Sequence, residues 1–599
     1  MPFYPTLPAG DAYQQVTDIF AGYNHNLKIA DGEFFDMTNL TSDYYPLFSN
    51  RDKRGTVQTL EDPKGLLAKS KLAYIDGTRL IYNGLDITND SLGAAGFSIS
   101  NADEMLPKKL VSMGAYIIIY PDKLYVNTEN YTDCGSIDAS FTTSGDVTYT
   151  FCKADGTAYD QPQINAVEPQ NPSNGDLWID SSGKNHSLKQ YSEVSGMWTQ
   201  VPTVYTRIGY AGIGRDFAKF DGVNISGCAA SGEAGDALTE QIEGLNGSKI
   251  IYDKGDDYIV VVGLLDQAHT QKDASVTISR SMPDLDYITE AQNRLWGCKY
   301  GLVNGETVNE IYCCALGDFK NWRQYLGVAT DSWTASVGTD GPWTGAVTHL
   351  GYPIFFKENC LHKVYISSTG AHQIVDTACR GVQSGCDRSL CVVNETLYYK
   401  SRTGICAYDG SLPVEVSEQL GAERYYDAVA GSVGDKYYVS MRDAKDVWHM
   451  FVLDAARGYW HREDNTHALC FARCDDELYY IDADTNALMA VNGTVGTLEM
   501  TVPWSATTGL MGYSYVEKKY VSRFNLRMRL PEGSKADMYI QYDSDGEWHH
   551  VGHMDGVGTR TFMLPVRPRR CDHFRFRIDG TGDIKIYSFA KIHESGSDV

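Results

Sequence analysis

The stretches of this chain whose residue types could do chemistry all fall at turn signals. Asp482-Ala483-Asp484-Thr485-Asn486 begins like a calcium loop, where alternating oxygen ligands need a glycine at position six and a bidentate glutamate at position twelve. Ala487 and Gly493 stand at those places, so a hairpin turn is expected. Asp340-Gly341 and Asp545-Gly546 each precede a tryptophan closely (Trp343 and Trp548), an arrangement common to tight hairpins. His549, His550 and His553 lie near one another with no carboxylate at ligand spacing, and are read as surface histidines. Glycoside hydrolysis needs two carboxylates facing across a sugar, and nothing singles out a pair among the 77 acidic residues. There is no H-E-x-x-H, no G-x-S-x-G, no phosphate-binding loop and no dinucleotide fingerprint. The expectation is a non-enzyme with no catalytic residue, no cofactor and no metal.

The elements that carry these turns repeat. A short apolar strand, a Gly/Asn/Asp turn and a second strand with paired aromatics return about every 45 to 50 residues. The copies begin at Leu72, Val111, Ile250, Arg294, Tyr352, Leu397, Lys436 and Leu478. Hairpins at such a period mark a β-propeller, in which each blade needs its neighbours to bury both faces. The competing architecture is a large irregular array of β-sandwiches. Forty tyrosines, 57 glycines and no heptad run agree with an all-β chain dense in turns.

At 599 residues the chain should divide into roughly three or four domains. Its net charge is −25, unevenly spread: from Glu499 onward 14 Lys/Arg face 13 Asp/Glu, which leaves −26 for the first 498 residues. Such a surface opposes tight nucleic-acid binding, because that affinity comes from neutralised phosphates. It suits solubility, or a wall that DNA slides past. The start Met1-Pro2-Phe3-Tyr4-Pro5 has no secretory character, and no apolar run approaches a membrane span. Fourteen scattered cysteines without a C-x-x-C pair are expected to be reduced thiols of a protein made in a cytoplasm.

Four regions are expected. Residues 1–60 read as an extended arm of the kind that lies across a neighbouring subunit, or else supplies the first propeller strand; its basic cluster offers Arg51 and Arg54 as interface candidates. Residues 61–143 and 211–495 carry the propeller. Residues 144–210, rich in proline, read as a small inserted β-domain with Trp178 and Trp198 as its core and as contact candidates. Residues 499–599 alternate strictly, as a β-sandwich whose strands show an apolar and a cationic face. Arg523, Arg527, Arg529, Arg575 and Arg577 form that cationic ladder, a solvated face or an interface with an acidic partner such as a neighbouring copy's propeller.

Several segments resemble a family of phage and prophage virion proteins. They include Asn293-Arg294-Leu295-Trp296-Gly297 with Gly317-Asp318-Phe319-Lys320-Asn321-Trp322, Leu350-Gly351-Tyr352-Pro353-Ile354, Gly458-Tyr459-Trp460-His461-Arg462 and Arg567-Pro568-Arg569-Arg570. The arm, through Gly22-Tyr23-Asn24, Asn39, Tyr45-Pro46-Leu47 and Arg51, is similar to the opening of packaged-DNA stabilisation and tail nozzle proteins of short-tailed phages. The resemblance covers arm, propeller and sandwich, and its motifs are turn and packing motifs. It implies a virion tail protein, made in the bacterial host cytoplasm, that forms a ring of six copies around a DNA channel. Its partners would be its own copies and portal, adaptor, tail or fibre proteins, with DNA passing unread. Receptor or carbohydrate binding through exposed aromatics is the alternative, and a polysaccharide depolymerase a more distant one.

Overall fold

The computed structural model describes residues 12–102, 107–159, 162–230, 236–512 and 518–595. It is all-β: a β-propeller, an inserted β-domain and a C-terminal β-sandwich. Seven antiparallel sheets form the blades among the described residues. Their strands span Pro63–Asp86 (blade 1), Lys109–Ser136 (2), Tyr287–Ser336 (3), Gly345–Ala378 (4), Cys391–Glu415 (5), Tyr425–Arg462 (6) and Ala468–Ala490 (7). Innermost strands touch in a closed circle: Pro63–Ala68 on Lys109–Met113, then Tyr287–Ala291, Gly345–His349, the turn Asp387–Ser389, Tyr425–Val433, Ala468–Cys474, and back to Pro63–Ala68. Closure follows from the alternation in each blade. Leu80 and Ile117, or Ile354 and Leu397, face the next sheet, and only a neighbouring blade removes them from water.

The last blade is completed by the beginning of the chain. Gly55–Thr59 pairs antiparallel with Ala487–Ala490, so the ring is shut by strands far apart in sequence. Gly55 is required there, because a Cβ would fall 1.9 Å from the Val495 carbonyl oxygen.

From residue 12 on, the arm therefore folds into its own chain. Gly22–Tyr23 and Glu33–Thr38 join Pro503–Thr508, Phe574–Thr581 and Lys535–Tyr542 in one sandwich sheet. Leu40–Thr41 and Phe48–Asn50 join Lys585–Ser595, Lys519–Leu530 and Gly558–Pro565 in the other. Its aromatics Phe20, Tyr23, Phe34 and Phe48 fill one continuous core with blades 4–6 and the sandwich. The expectation of a subunit-spanning arm is corrected for these residues: their backbone and apolar faces are satisfied within their own chain.

The insertion is larger than its prolines suggested. Ala139–Thr142, Gly222–Ser226, Gly247–Ile250 and Thr277–Arg280 form one sheet, and Gly145–Cys152, Tyr205–Gly209, Asp253–Gly255, Tyr258–Val262 and His269–Ala274 another. They enclose a separate core that includes Tyr149, Ile208, Ile225 and Val261. The hairpin at Ile250–Val262, expected as a blade, belongs here, as do strands within 222–280 that the sequence placed in the propeller. Its Tyr258 and Val260 pair with Gly209 and Arg207, not with a blade strand. The proline-rich stretch is a smaller sheet nested within the insertion: Gln163–Asn165, Leu177–Asp180, Ser187–Ser192 and Met197–Gln200.

Candidate interaction surfaces

Arg51 and Arg54 sit where arm, propeller and sandwich meet. Arg51 donates to Asn39 through Nε (2.8 Å) and pairs with Glu499 through Nη1 (2.7 Å). Arg54 pairs with Glu463 (2.5 Å) and Asp464 (3.0 Å), donates to Thr466, and stacks on Tyr480. Their side chains are 8% and 4% exposed. Burial alone would raise the Asp464 and Glu499 carboxyls; the guanidinium groups of Arg54 and Arg51 beside them hold both below the usual range. Both arginines, expected at an interface with another chain, are buried in an internal clasp. Two arginines face three carboxylates there, and of their donors Arg54 Nε alone is buried without a hydrogen-bond partner among the described residues.

His461 extends the clasp. Its Nε2 lies 3.0 Å from the Ser42 hydroxyl, which donates to Asp454. Burial pushes its pKa down to about 3, and the Lys436 charge acts in the same direction.

Trp178 and Trp198 meet edge to face at 5.5 Å, as the expected small core. Trp178 is 5% exposed and its indole N–H donates to the Asn165 carbonyl. Tyr191 packs on the other side of Trp198, and Lys189 lies over Trp178. Trp178 is closed off from any partner, and Trp198 is half-buried.

The arginine ladder divides. Phe524 meets Phe576 at 3.8 Å between the two sandwich sheets, so the residues alternating with them point to opposite outer faces. Arg523, Arg527 and Arg529 are exposed on one face and take no hydrogen bond or ion pair from the described residues. Arg575 and Arg577 are half-buried on the other, both over the Trp548 ring; Arg575 donates to Gln541 and Arg577 pairs with Asp579. One cationic patch is free, and the other is engaged.

The histidines do have carboxylate neighbours, supplied by adjacent strands or loops rather than by sequence spacing. His550 Nε2 and His553 Nδ1 both reach Asp537 Oδ1, at 3.1 and 2.8 Å. Asp545, Glu547 and His549 cluster closely enough to hold a metal ion, but Arg569 already bonds His549 and pairs with Asp545. The calcium-like loop is a turn: Asp482 Oδ1 accepts from the amides of Asp484 and Thr485 and from the Thr485 hydroxyl. All fourteen cysteines are free, and Cys313 and Cys314 are buried among apolar side chains. Among the described residues no helix is long and apolar enough to cross a membrane.

No protein-family model matches the chain, and no curated protein matches it. Solved structures similar to it include an exo-β-1,3-galactanase from Phanerochaete chrysosporium (8% identity, 51% of this chain and 94% of that one, TM-score 0.20). A putative 6-phosphogluconolactonase from Bacteroides fragilis is 12% identical over 59% of this chain and 96% of its own, with a TM-score of 0.23. The extracellular domain of a putative hybrid two-component system from B. thetaiotaomicron is 10% identical over 93% and 98%, also at 0.23. Likenesses of this size carry no inference about activity.

Proposed function

We propose that this chain is a non-enzymatic structural component of a phage tail, a nozzle or hub ring that carries DNA outward and docks other tail proteins. The observation that supports it most is the clasp. One N-terminal segment completes both the sandwich and the propeller, and between those strands it buries Arg51 and Arg54 against Glu463, Asp464 and Glu499. Parts joined this way cannot hinge without breaking buried ion pairs, which suits a part that bears load. Several copies surround the DNA, whose phosphates are repelled by a surface whose first 498 residues carry a net charge of −26. The free arginine face of the sandwich supplies a contact of opposite sign for an acidic neighbour.

The test is electron microscopy of the purified full-length chain, alone and with the tail proteins encoded beside it, together with protein counting in purified virions. Closed rings and a small fixed copy number are expected. A chain that stays monomeric under both conditions and is absent from virions overturns the proposal.

A further inference from the structure

Strand register places Ser49, Lys585, Arg529 and Thr559 in one row across a sandwich sheet: Ser49 opposite Lys585, Lys585 opposite Arg529, and Arg529 opposite Thr559. Their chain neighbours Phe48, Ile586 and Leu530 pack in the core, so the row faces outward. Opposed residues of an antiparallel pair hold their Cβ atoms about 5 Å apart, and like charges set there repel. Neither cation of the row has a carboxylate partner. Arg529 takes no hydrogen bond or ion pair from the described residues, and the Lys585 ammonium lies over the Tyr44 ring, 3.2 Å from its centre. Beside them Ser49 is 2% exposed, and its hydroxyl is buried without a hydrogen-bond partner among the described residues.

Ser49, Lys585 and Arg529 line a cavity of about 630 Å³ between the sandwich, the arm and the turn that follows blade 7. Arg51 and Lys53 also line it, but Arg51 is committed to Glu499 and Lys53 to the Met500 carbonyl. Two carboxylates share the wall. Asp583 accepts from Asn50, and neither Asp583 nor Asp52 pairs with Lys585 or Arg529. The lining thus carries a balance of +2 in a chain whose net charge is −25. A buried hydroxyl costs free energy while it lacks a partner, and two adjacent cations cost it while they lack a counter-charge. One anion relieves both. A guanidinium fork takes up both oxygens of a carboxylate, whereas a phosphate keeps further oxygens for the ammonium and the hydroxyl.

We infer that this cavity is a binding site for a phosphate group, held by Arg529, Lys585 and Ser49. The site goes beyond the tail reading and does not depend on ring formation. The test is calorimetric titration of the full-length chain with inorganic phosphate, deoxyadenosine monophosphate, acetate and a short DNA duplex, at one ionic strength set with chloride. Phosphate or the nucleotide is expected to bind, and the tighter of the two tells a free phosphate site from a phosphomonoester site. Arg529→Gln and Lys585→Gln should each weaken Kd by about ten-fold or more. Ser49→Ala should weaken it too, without lowering the Tm of the unliganded protein, because the hydroxyl it removes makes no bond there; it gives the reading if a charge change disturbs the sheet. Lys445→Gln, at an exposed position of blade 6, removes the same charge and leaves Kd as it was. The inference is overturned by no binding of either phosphate compound, by binding that survives all three cavity variants, or by equal loss on Lys445→Gln. Acetate binding as tightly as phosphate, or the duplex binding through these residues in place of phosphate, overturns it as well.

Discussion

Removing one partner from a buried ion pair leaves the other charge stranded at low dielectric, which costs about 3–5 kcal/mol. Arg54→Ala is therefore expected to lower unfolding free energy by about that amount, read from urea midpoints, whereas Arg527→Ala, on the open sandwich face, stays within about 0.5 kcal/mol. Equal effects would mean that the clasp contributes nothing. Acid dependence follows from the enclosed histidines. His461 is held to about 3; His362 and His372 are held to about 4, by burial first and then by Lys357 and Arg294 respectively. The unfolded chain binds protons near pH 6.5 that the folded chain refuses, so stability falls as pH drops below about 6.5 toward 4. Asp464 and Glu499 are shifted downward instead, so their contribution persists above the ordinary carboxylate range and is lost only below about 4. Calorimetry should show Tm declining between pH 6.5 and 5, with a shallower slope in His461→Gln; a flat profile there contradicts the histidine argument.

Ring closure rests on five residues, Gly55–Thr59, added to blade 7. Without them Ala487–Ala490 is an open edge, and blade 7 has one more row of unpaired backbone groups facing solvent. Gly55→Val would drive a side chain into the Val495 carbonyl, so a loss of at least about 3 kcal/mol is expected, the upper end of overpacking penalties. Hydrogen exchange should show whether the damage is local: amides of Glu477–Asp482 and Ala487–Ala490 lose protection first, while the insertion keeps its own. Uniform loss across both would mean that they share one cooperative unit. In the nested sheet, Trp178→Ala removes the indole from between Trp198 and Lys189, and loss of that sheet is expected together with a partial loosening of the insertion's larger core, into which Ile179 and Leu188 of the same strands pack.

Across the whole molecule, charge is arranged by body. The sandwich is nearly neutral yet shows three unpaired arginines on one face, while the remainder is strongly acidic. If copies associate through opposite charge, Arg523→Glu, Arg527→Glu and Arg529→Glu together should abolish rings while leaving Tm nearly unchanged, and added salt should weaken association of the unaltered protein. Rings that survive both place the contact elsewhere.

How much of this was legible beforehand depended on the range of the interaction. Period-two alternation and turn residues are written locally, so strands such as Thr396–Lys400 or Phe574–Thr581, the all-β class and the propeller could be read from the chain. Which strands share a sheet could not. Ile250–Val262 carries the same apolar pattern as a blade hairpin, and only its pairing with Tyr205–Gly209 assigns it to the insertion. Arg51 and Arg54 look like an exposed basic cluster because their carboxylates lie more than 400 residues further along. Asp537 and the histidines it bonds are likewise joined by strand pairing, not spacing. Local sequence determined what each strand is; long-range packing decided which charges are buried, which are free and what faces the centre, because those depend on contacts that no short window of residues contains.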